Sequence, residues 1–507
     1  MRAIDSIQTA SLAERRNNSR ASSFGVKKRF PALARVLLPP LVVTVFLWLA
    51  SANDITIVEW FAALILLFLP WAGYCRWRAR NNAEVPLFSM LAMIYWLYYA
   101  FPLFWGTRDA VARWNSGQTV SREAVTGAMV MVLLGVLSLW AGVASRIGKR
   151  FVPRIIPTIS SDNARWGYLR AIMFIGSLVS FYEVSPDLFG EGMMQMMFIF
   201  QNIIPLVAFA ILFQNVLRGR APRYDLFLLA IFITFRFIVD MSSGWLGALV
   251  YDVITCAVIY VVEKRRIPRL AVVGVILYVL FFQVGKYSVR EKYWYQQNED
   301  TKVERIAFWV SESFGKWGEA FNDSSLETLR DLTYNSLSRV ALLNQTANVL
   351  ELTPSTVPYQ YGRLYSYMAI ALVPRFVWPE KPSVNEANMF YQVAYGITAE
   401  EDLEKSSFAI GILTESYINF GWPGVVLMMF LIGIFLDFFQ QTFLSGSSGF
   451  LLNGLGFVLI PFLLSIDSQL AFYLGGMAQR IFFVLLIFLP IIRFRRTRRR
   501  AGSVEQA

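Results

Sequence analysis

Residues 122–150, REAVTGAMVMVLLGVLSLWAGVASRIGKR, decide the fold. Between Glu123 and Arg146 no charged side chain interrupts the run, and Arg146, Lys149 and Arg150 follow it. A helix of roughly 20 apolar residues crosses the hydrocarbon layer of a membrane, and a basic flank marks its cytoplasmic end. The stretch reads as a spanning helix over 123–145. Eleven further segments read the same way: 33–51, 55–75, 85–105, 165–183, 194–217, 225–241, 245–262, 269–285, 422–443, 450–468 and 473–493. Only Ser242, Ser243 and Gly244 separate the seventh from the eighth, which are two short helices or one broken span.

Composition agrees. The chain has 507 residues, 56% of them hydrophobic and 16% charged, where a soluble domain carries about a quarter charged residues. With 42 Phe, 22 Tyr and 15 Trp it is neither disordered nor a nucleic-acid-binding chain. The absence of histidine excludes a histidine base or nucleophile and histidine-ligated metal. Cys75 and Cys256 fall in or beside apolar segments, so no disulfide framework and no cysteine metal site is available. The fold class expected is an all-α polytopic membrane protein of about 12 transmembrane helices.

The net charge of +12 is explained by topology. Of 47 Lys and Arg, 28 lie before residue 33 or in 76–84, 146–165, 218–224, 263–269 and 493–500, alternate connections that fall on one side. The short loops opposite hold only Arg108, Arg113 and Arg122. By the positive-inside rule both termini are cytoplasmic. The order is then a basic tail over 1–32, nine spans over 33–285, a large outer segment over 286–421, three spans over 422–493 and a second basic tail over 494–507. The N-terminal stretch reads as a tail, not a cleaved signal peptide, since no small-residue cleavage site follows the first apolar run.

Residues 286–406 are too long for an ordinary connection. Trp309, Phe314, Trp317 and Phe321 are spaced as an amphipathic stretch able to lie at the interface. Leu326, Leu329, Leu332, Leu337, Val340 and Leu343 keep near-helical spacing, and a second apolar helix runs from Tyr361 to Val373 into Pro374, Pro379 and Pro382. The segment reads as a helical cap with re-entrant pieces.

Here the residues take a recognisable form. Val373-Pro374-Arg375-Phe376-Val377-Trp378-Pro379-Glu380-Lys381-Pro382 resembles an element of bacterial oligosaccharide repeat-unit polymerases of the Wzy type, which assemble O-antigen, capsule and exopolysaccharide. Gly411-Ile412-Leu413-Thr414-Glu415-Ser416-Tyr417-Ile418-Asn419-Phe420-Gly421 resembles the segment that follows it there. The two elements cover about 50 residues, and the layout of many spans with one large outer loop matches over most of the chain. The resemblance implies a polymerase architecture of the GT-C-like polymerase and ligase kind in the bacterial inner membrane. Its substrate would be an undecaprenyl-diphosphate-linked oligosaccharide, with a flippase and a chain-length regulator of the same pathway as partners and membrane lipid around it. It implies inverting, metal-independent transfer without a cofactor.

In such a reaction the anomeric carbon carries a good leaving group. The protein must stabilise the departing diphosphate, position both substrates and supply a base where one is needed. Guanidinium forks suit phosphate oxygens, so Arg375 and Arg339 are candidate catalytic residues, with Lys381, Arg363 and Arg290 in the same outer-face cluster. Contact with lipid headgroups or surface acids is the plainer alternative for each. Glu415 stands among apolar residues, as a general base or as the structural partner of an arginine. Tyr417 and Asn419, in the second element, complete the substrate-binding set. Within the spans Arg236 and Asp240 stand four apart on one helix face, and Arg480 and Asp467 lie near outer ends. These read as a polar vestibule for the diphosphate, or, for Arg236 and Asp240, as a self-neutralising pair that fixes packing. Gly475-Gly476 reads as permitting close helix contact or a bend. An O-antigen ligase shares the donor, although such ligases carry a histidine in this loop. A flippase would show internal repeats and polar residues on both leaflets, and neither is seen.

Overall fold

The computed structural model describes residues 29–51, 54–80, 85–105, 120–159, 163–181, 196–295, 300–322, 341–373, 377–378, 380–403, 408–446 and 448–496. The chain is mostly helical. In order the helices are α1 (Arg29–Ala50), α2 (Ile57–Ala79), α3 (Leu87–Phe104), α4 (Arg122–Ala144), α5 (Asn163–Phe181), α6 (Met196–Leu217), α7 (Arg223–Ser242), α8 (Leu246–Lys264) and α9 (Arg269–Gln283). Then come α10 (Lys302–Asn322), α11 (Leu343–Leu352), α12 (Arg363–Leu372), α13 (Glu386–Ala394), α14 (Ile412–Phe443), α15 (Gly449–Leu464) and α16 (Ala471–Ile491). A two-stranded antiparallel sheet pairs β1 (Ile155–Ile159) with β2 (Ile492–Arg496).

Each of the twelve segments expected to span is helical over most of its described residues, but they do not qualify equally. Among the described residues α2, α3, α4, α6, α8, α14 and α16 are long and apolar enough to cross a membrane. An eighth is added if α9 and Lys286–Trp294, bent by 65° at their junction, count as one span. The apolar part of α1, Ala34–Ala50, and α15 are shorter. Of the roughly twelve spans expected, seven or eight among the described residues thus meet that standard by length and composition. In α7 the physical reason is its charge, since Arg223, Asp225, Arg236 and Asp240 share one helix.

The tightest association is between α4 and α14, and glycine makes it so. A Cβ on Gly142 would collide with the Phe430 carbonyl oxygen, and one on Gly433 with that of Leu139. Backbones that approach this closely recover dispersion and polar contact that larger side chains would prevent. Asp437 locks the register: its Oδ1 accepts from Arg146 Nη1 at 3.1 Å and its Oδ2 from the Lys149 backbone N–H at 3.1 Å. Deeper charges are also spent on packing. Arg170 of α5 meets Asp225 of α7 bidentately at 2.7 and 3.0 Å.

Helix α14 is broken. Phe420 and Gly421 leave helical geometry, with Gly421 at φ +64°, and Pro423 follows. A left-handed backbone favours glycine, and the Tyr359 hydroxyl lies 3.0 Å from where a Cβ would stand. The first half, 412–419, is buried on every side, so the break divides an inner peg from a lipid-accessible span.

The segment 286–421 differs from expectation in one respect. Helix α10 does not lie free at an interface. Trp309 is fully buried and donates to the Phe282 carbonyl at 2.9 Å. Trp317 donates to the Phe281 carbonyl at 3.3 Å, and Lys316 to the Val284 carbonyl at 3.3 Å. A helix end leaves carbonyls without intrahelical partners, and the bend after Gln283 does so inside the apolar zone. Two tryptophans and a lysine on one face of α10 supply the missing donors. Phe314, edge-on to Phe281 at 4.8 Å, and Phe321, stacked on Trp317, flank that face and are 63% and 66% exposed. The stripe 326–340 lies outside the described residues except for its last member, Leu343, which begins α11.

Gly142→Ala is expected to cost about 1–3 kcal/mol, as overpacking does. Gly167→Ala on α5, where a Cβ meets nothing within 4 Å, is expected to be neutral or slightly stabilising. Thermal unfolding of the detergent-purified variants checks the contrast.

Candidate functional site

Two polar zones meet at one end of the bundle, and irregular helix turns frame both. Helices α3, α6 and α16 each contain a π-turn, at Trp96–Ala100, Ile199–Ile203 and Ala471–Gly475. Such turns are rare and concentrate at functional sites.

The first zone is the floor beneath the cap, built on the inner half of α14. Glu415 is fully buried and its Oε2 accepts the Leu470 N–H at 2.6 Å, so it caps the start of α16. A carboxylate is favoured at a helix N-terminus by the unpaired N–H groups and the aligned peptide dipoles. Oε1 has no hydrogen-bond partner among the described residues. Of the two readings the sequence allowed, an arginine partner is not found there among those residues. Thr414 and Thr346 share a hydroxyl hydrogen bond of 2.7 Å. Asn419 is also fully buried: its Nδ2 donates to the Glu415 carbonyl at 2.9 Å, and its Oδ1 accepts the Gly362 N–H at 3.0 Å. The Ile418 and Asn419 carbonyls accept the N–H groups of Gln360 and Tyr361. Asn419 therefore acts as a splint for the entry to α12. Tyr417 is buried, with its hydroxyl 3.4 Å from the Thr353 carbonyl. Burial raises the Tyr395 phenol to about 12, although its hydrogen bond with Thr353 works the other way.

The Pro-bounded element hangs from the far end of α12. Lys381 is buried and donates to the Val373 carbonyl at 2.7 Å and the Ile370 carbonyl at 3.5 Å. A cation on the last carbonyls of a helix is electrostatically favoured, and here it ties residue 381 back to the end of α12. Arg363, at the opposite end of α12, is exposed, with its guanidinium 5.9 Å from the Phe390 ring. Arg290 stacks at 4.1 Å over Trp294, whose indole N–H holds the Ser243 carbonyl beside the α7–α8 turn. The three cations thus occupy different parts of the fold. Arg339 and Arg375 lie outside the described residues.

The second zone lies between α6, α7, α8 and α15. A cavity of about 210 Å³ is lined by Asn202, Arg236, Asp240, Tyr251, Asp252 and Thr255 together with apolar side chains. Arg236 donates through Nε to Asp252 Oδ2 at 3.0 Å and through Nη1 to Asn202 Oδ1 at 2.8 Å. Asp240, one turn away on its own helix, is farther, at 3.5 Å. The i,i+4 spacing pointed to Asp240, but the closer partner comes from the next helix. Phe462 and Tyr251 form one wall of the cavity, and behind them stands Arg480, stacked at 3.9 Å over the Phe462 ring. Arg480 has no hydrogen bond or ion pair among the described residues, and its Nε is buried. Asp467 stands in the short connection between α15 and α16, where burial raises its carboxyl against the backbone N–H groups that lower it.

The zones are joined at α12 and α16. Gln479 donates to the Ala371 carbonyl, and Gly475 stands where a Cβ would strike that of Ala371. Gly475 permits the close contact expected of it. The helix that leads into Val373 is therefore docked on α16 at Gly475 and Gln479, the residue before Arg480.

Residues 115–453 match a family described as a domain of unknown function, DUF8712, and the chain belongs to that family. The match runs from the approach to α4 into α15 and includes Arg236, Lys381 and Glu415, while Arg480 lies beyond it. No curated protein and no solved structure matches the chain.

Lys381→Met removes the donor from two carbonyls and is expected to cost about 1–3 kcal/mol. Hydrogen exchange is expected to rise in 370–382 before anywhere else in the cap. Unchanged exchange there would show that the ammonium does not hold the loop.

Proposed function

We propose that the chain is a glycosyltransferase of the Wzy-type polymerase kind, joining undecaprenyl-diphosphate-linked oligosaccharide repeat units at the outer face of the bacterial inner membrane. The observation that carries this reading is Arg480. An intramembrane cation without an acid partner is costly and marks a binding path. This one follows Gln479, which holds the last turn of α12 just ahead of the polymerase-like element 373–382. A guanidinium there suits a lipid diphosphate entering from the bilayer.

The chemistry is one displacement. The terminal hydroxyl of one repeat unit attacks the anomeric carbon of another glycan. The bond from that carbon to the diphosphate oxygen breaks, and undecaprenyl diphosphate leaves with the electron pair. The hydroxyl proton passes to a carboxylate or to the leaving diphosphate. Arg480 and Arg375 stabilise the charge that develops, while Lys381 and Asn419 hold the loop and the floor. Glu415 has a spare oxygen, yet its full burial favours its capping role over that of the base. The finer architecture belongs to the same reading: twelve crossings in a GT-C-like arrangement, both termini cytoplasmic, and 286–421 as an outer cap.

A flippase for the same lipid-linked glycans is the second reading. It is favoured by the buried group Arg236, Asp240 and Asp252, because coupled transporters place charge inside the bundle.

Arg480→Ala, expressed in a strain lacking the gene, is expected to lower long-chain surface glycan about 100-fold or more, the effect of removing one donor from developing charge. Single repeat units should persist on the outer carrier, and Arg480→Lys should recover part of the loss. Arg375→Ala should behave alike. Undiminished long chains would remove these arginines from the site, and loss of even single units from the outer surface would favour the flippase.

A further inference from the structure

The second zone has a charge deficit that packing does not explain. Arg236 directs Nε and Nη2 to Asp252, at 3.0 and 3.4 Å, and Nη1 to Asn202 at 2.8 Å. Asp240 is left with one oxygen 3.5 Å from Nη2. Its other oxygen, Oδ2, is buried without a hydrogen-bond donor among the described residues, on a residue only 4% exposed. The Asp252 carboxyl shares the same guanidinium and lines the same cavity. Two ionised carboxylates on one guanidinium leave one negative charge too many, in surroundings where an uncompensated charge is heavily penalised.

Among the described residues no second cation is paired with either carboxyl, and Arg290, the charge that the segment Lys286–Arg290 brings to this end of α7, stacks at 4.1 Å on the Trp294 ring. From α6 comes the neutral Asn202. From α8 come Asp252 itself, Tyr251 and, near Asp252, Cys256. From α9 comes Tyr278, whose hydroxyl meets Met241 at 3.2 Å. From α10, Trp309 and Ile306 pack on that same Met241. Arg170 of α5 is committed to Asp225, 15 residues from Asp240 along α7 and roughly 22 Å away at helical rise. Arg480 lies beyond the Tyr251 and Phe462 wall. Beside the two carboxyls the cavity of about 210 Å³ leaves space for an ion with some of its water, a water occupying about 30 Å³.

We propose that this pocket is a monovalent-cation site, in which a proton shared by the Asp240 and Asp252 carboxyls, or a sodium ion seated on them, completes the charge balance. A charge of one suffices. A divalent ion would overshoot it, and no group of three acidic, cysteine or histidine side chains stands together among the described residues to hold one. The site is independent of the polymerase reading: it is separated from Arg480 by the Phe462 ring and is tested without any glycan.

A ligand bound only by the folded state stabilises it in proportion to occupancy. The full-length purified protein, in detergent, is unfolded thermally in choline chloride across pH. As pH rises a proton leaves the pocket, the unpaired carboxylate returns, and the midpoint is expected to fall by about 2 °C or more between about pH 6 and about pH 9. Asp240→Asn carries no such charge and should show a flatter profile. If sodium is the occupant, sodium chloride, but not potassium chloride, restores the wild-type midpoint at high pH and leaves the variant unmoved. Matching pH and sodium profiles for wild type and variant would overturn the proposal. Should the variant not fold, the wild type decides alone. A carboxylic-acid carbonyl band in its infrared spectrum at neutral pH that disappears at high pH, or a sodium-specific rise in midpoint, supports the site. The lack of both overturns it.

Discussion

Helix α14 can carry the floor of the cap only because its second half, after the break, is held against α4 at the level of the backbone. At Gly142 and Gly433 neither helix has a side chain to spare, and the Phe430 and Leu139 carbonyls occupy the room that one would need. In a bilayer the lipid tails are as apolar as any leucine, so packing closeness, not escape from water, drives helix association. Asp437 then fixes the sliding position through Arg146 and the Lys149 N–H. With α14 fixed, the break at Phe420 and Gly421 swings its inner half, with Glu415 and Asn419, under the cap.

From that peg the structure meets the other demand of an apolar environment, that polar groups find partners inside the protein. Asn419 receives the entry to α12, Glu415 the start of α16, and Lys381 the last carbonyls of α12. On the far side Trp309, Trp317 and Lys316 do the same for the end of α9. Against this background two groups stand out among the described residues: the Arg480 guanidinium, without an acid, and Asp240 Oδ2, without a donor. One is short of negative charge and the other of positive charge. An aromatic wall of Phe462 and Tyr251 keeps them from answering one another. A bundle that satisfied only its own packing would have paired them.

The positions of the helices were legible in the sequence because uninterrupted apolar length is a local property. Each segment read as apolar is helical over most of its described residues. The close approach at Gly475 was legible for a similar reason, since two small residues in an apolar run have few other uses. The partners of charged residues were not. Arg236 and Asp240 stand at helical spacing, yet Asp252, 16 positions on, takes the better geometry because α8 folds back beside α7. Trp309 and Trp317 carry an amphipathic pattern that suits an interface equally well, and only the bend after Gln283 shows that their indoles are needed inside. Lys381 reads as a free cation in the motif, but an ammonium on a flexible stem takes whichever carbonyls the loop brings within reach.

The sequence by itself thus determined that the chain is a helical membrane protein, where its helices run, and which side chains carry charge into the apolar zone. It did so because hydrophobic length and charge are written residue by residue. Only the tertiary structure decided which charges neutralise one another, how many helices are long and apolar enough to cross, and that α12 docks beside Arg480. Those depend on which helices become neighbours, and a pairing between residues 236 and 252, or 371 and 479, exists only once the chain has returned to meet itself.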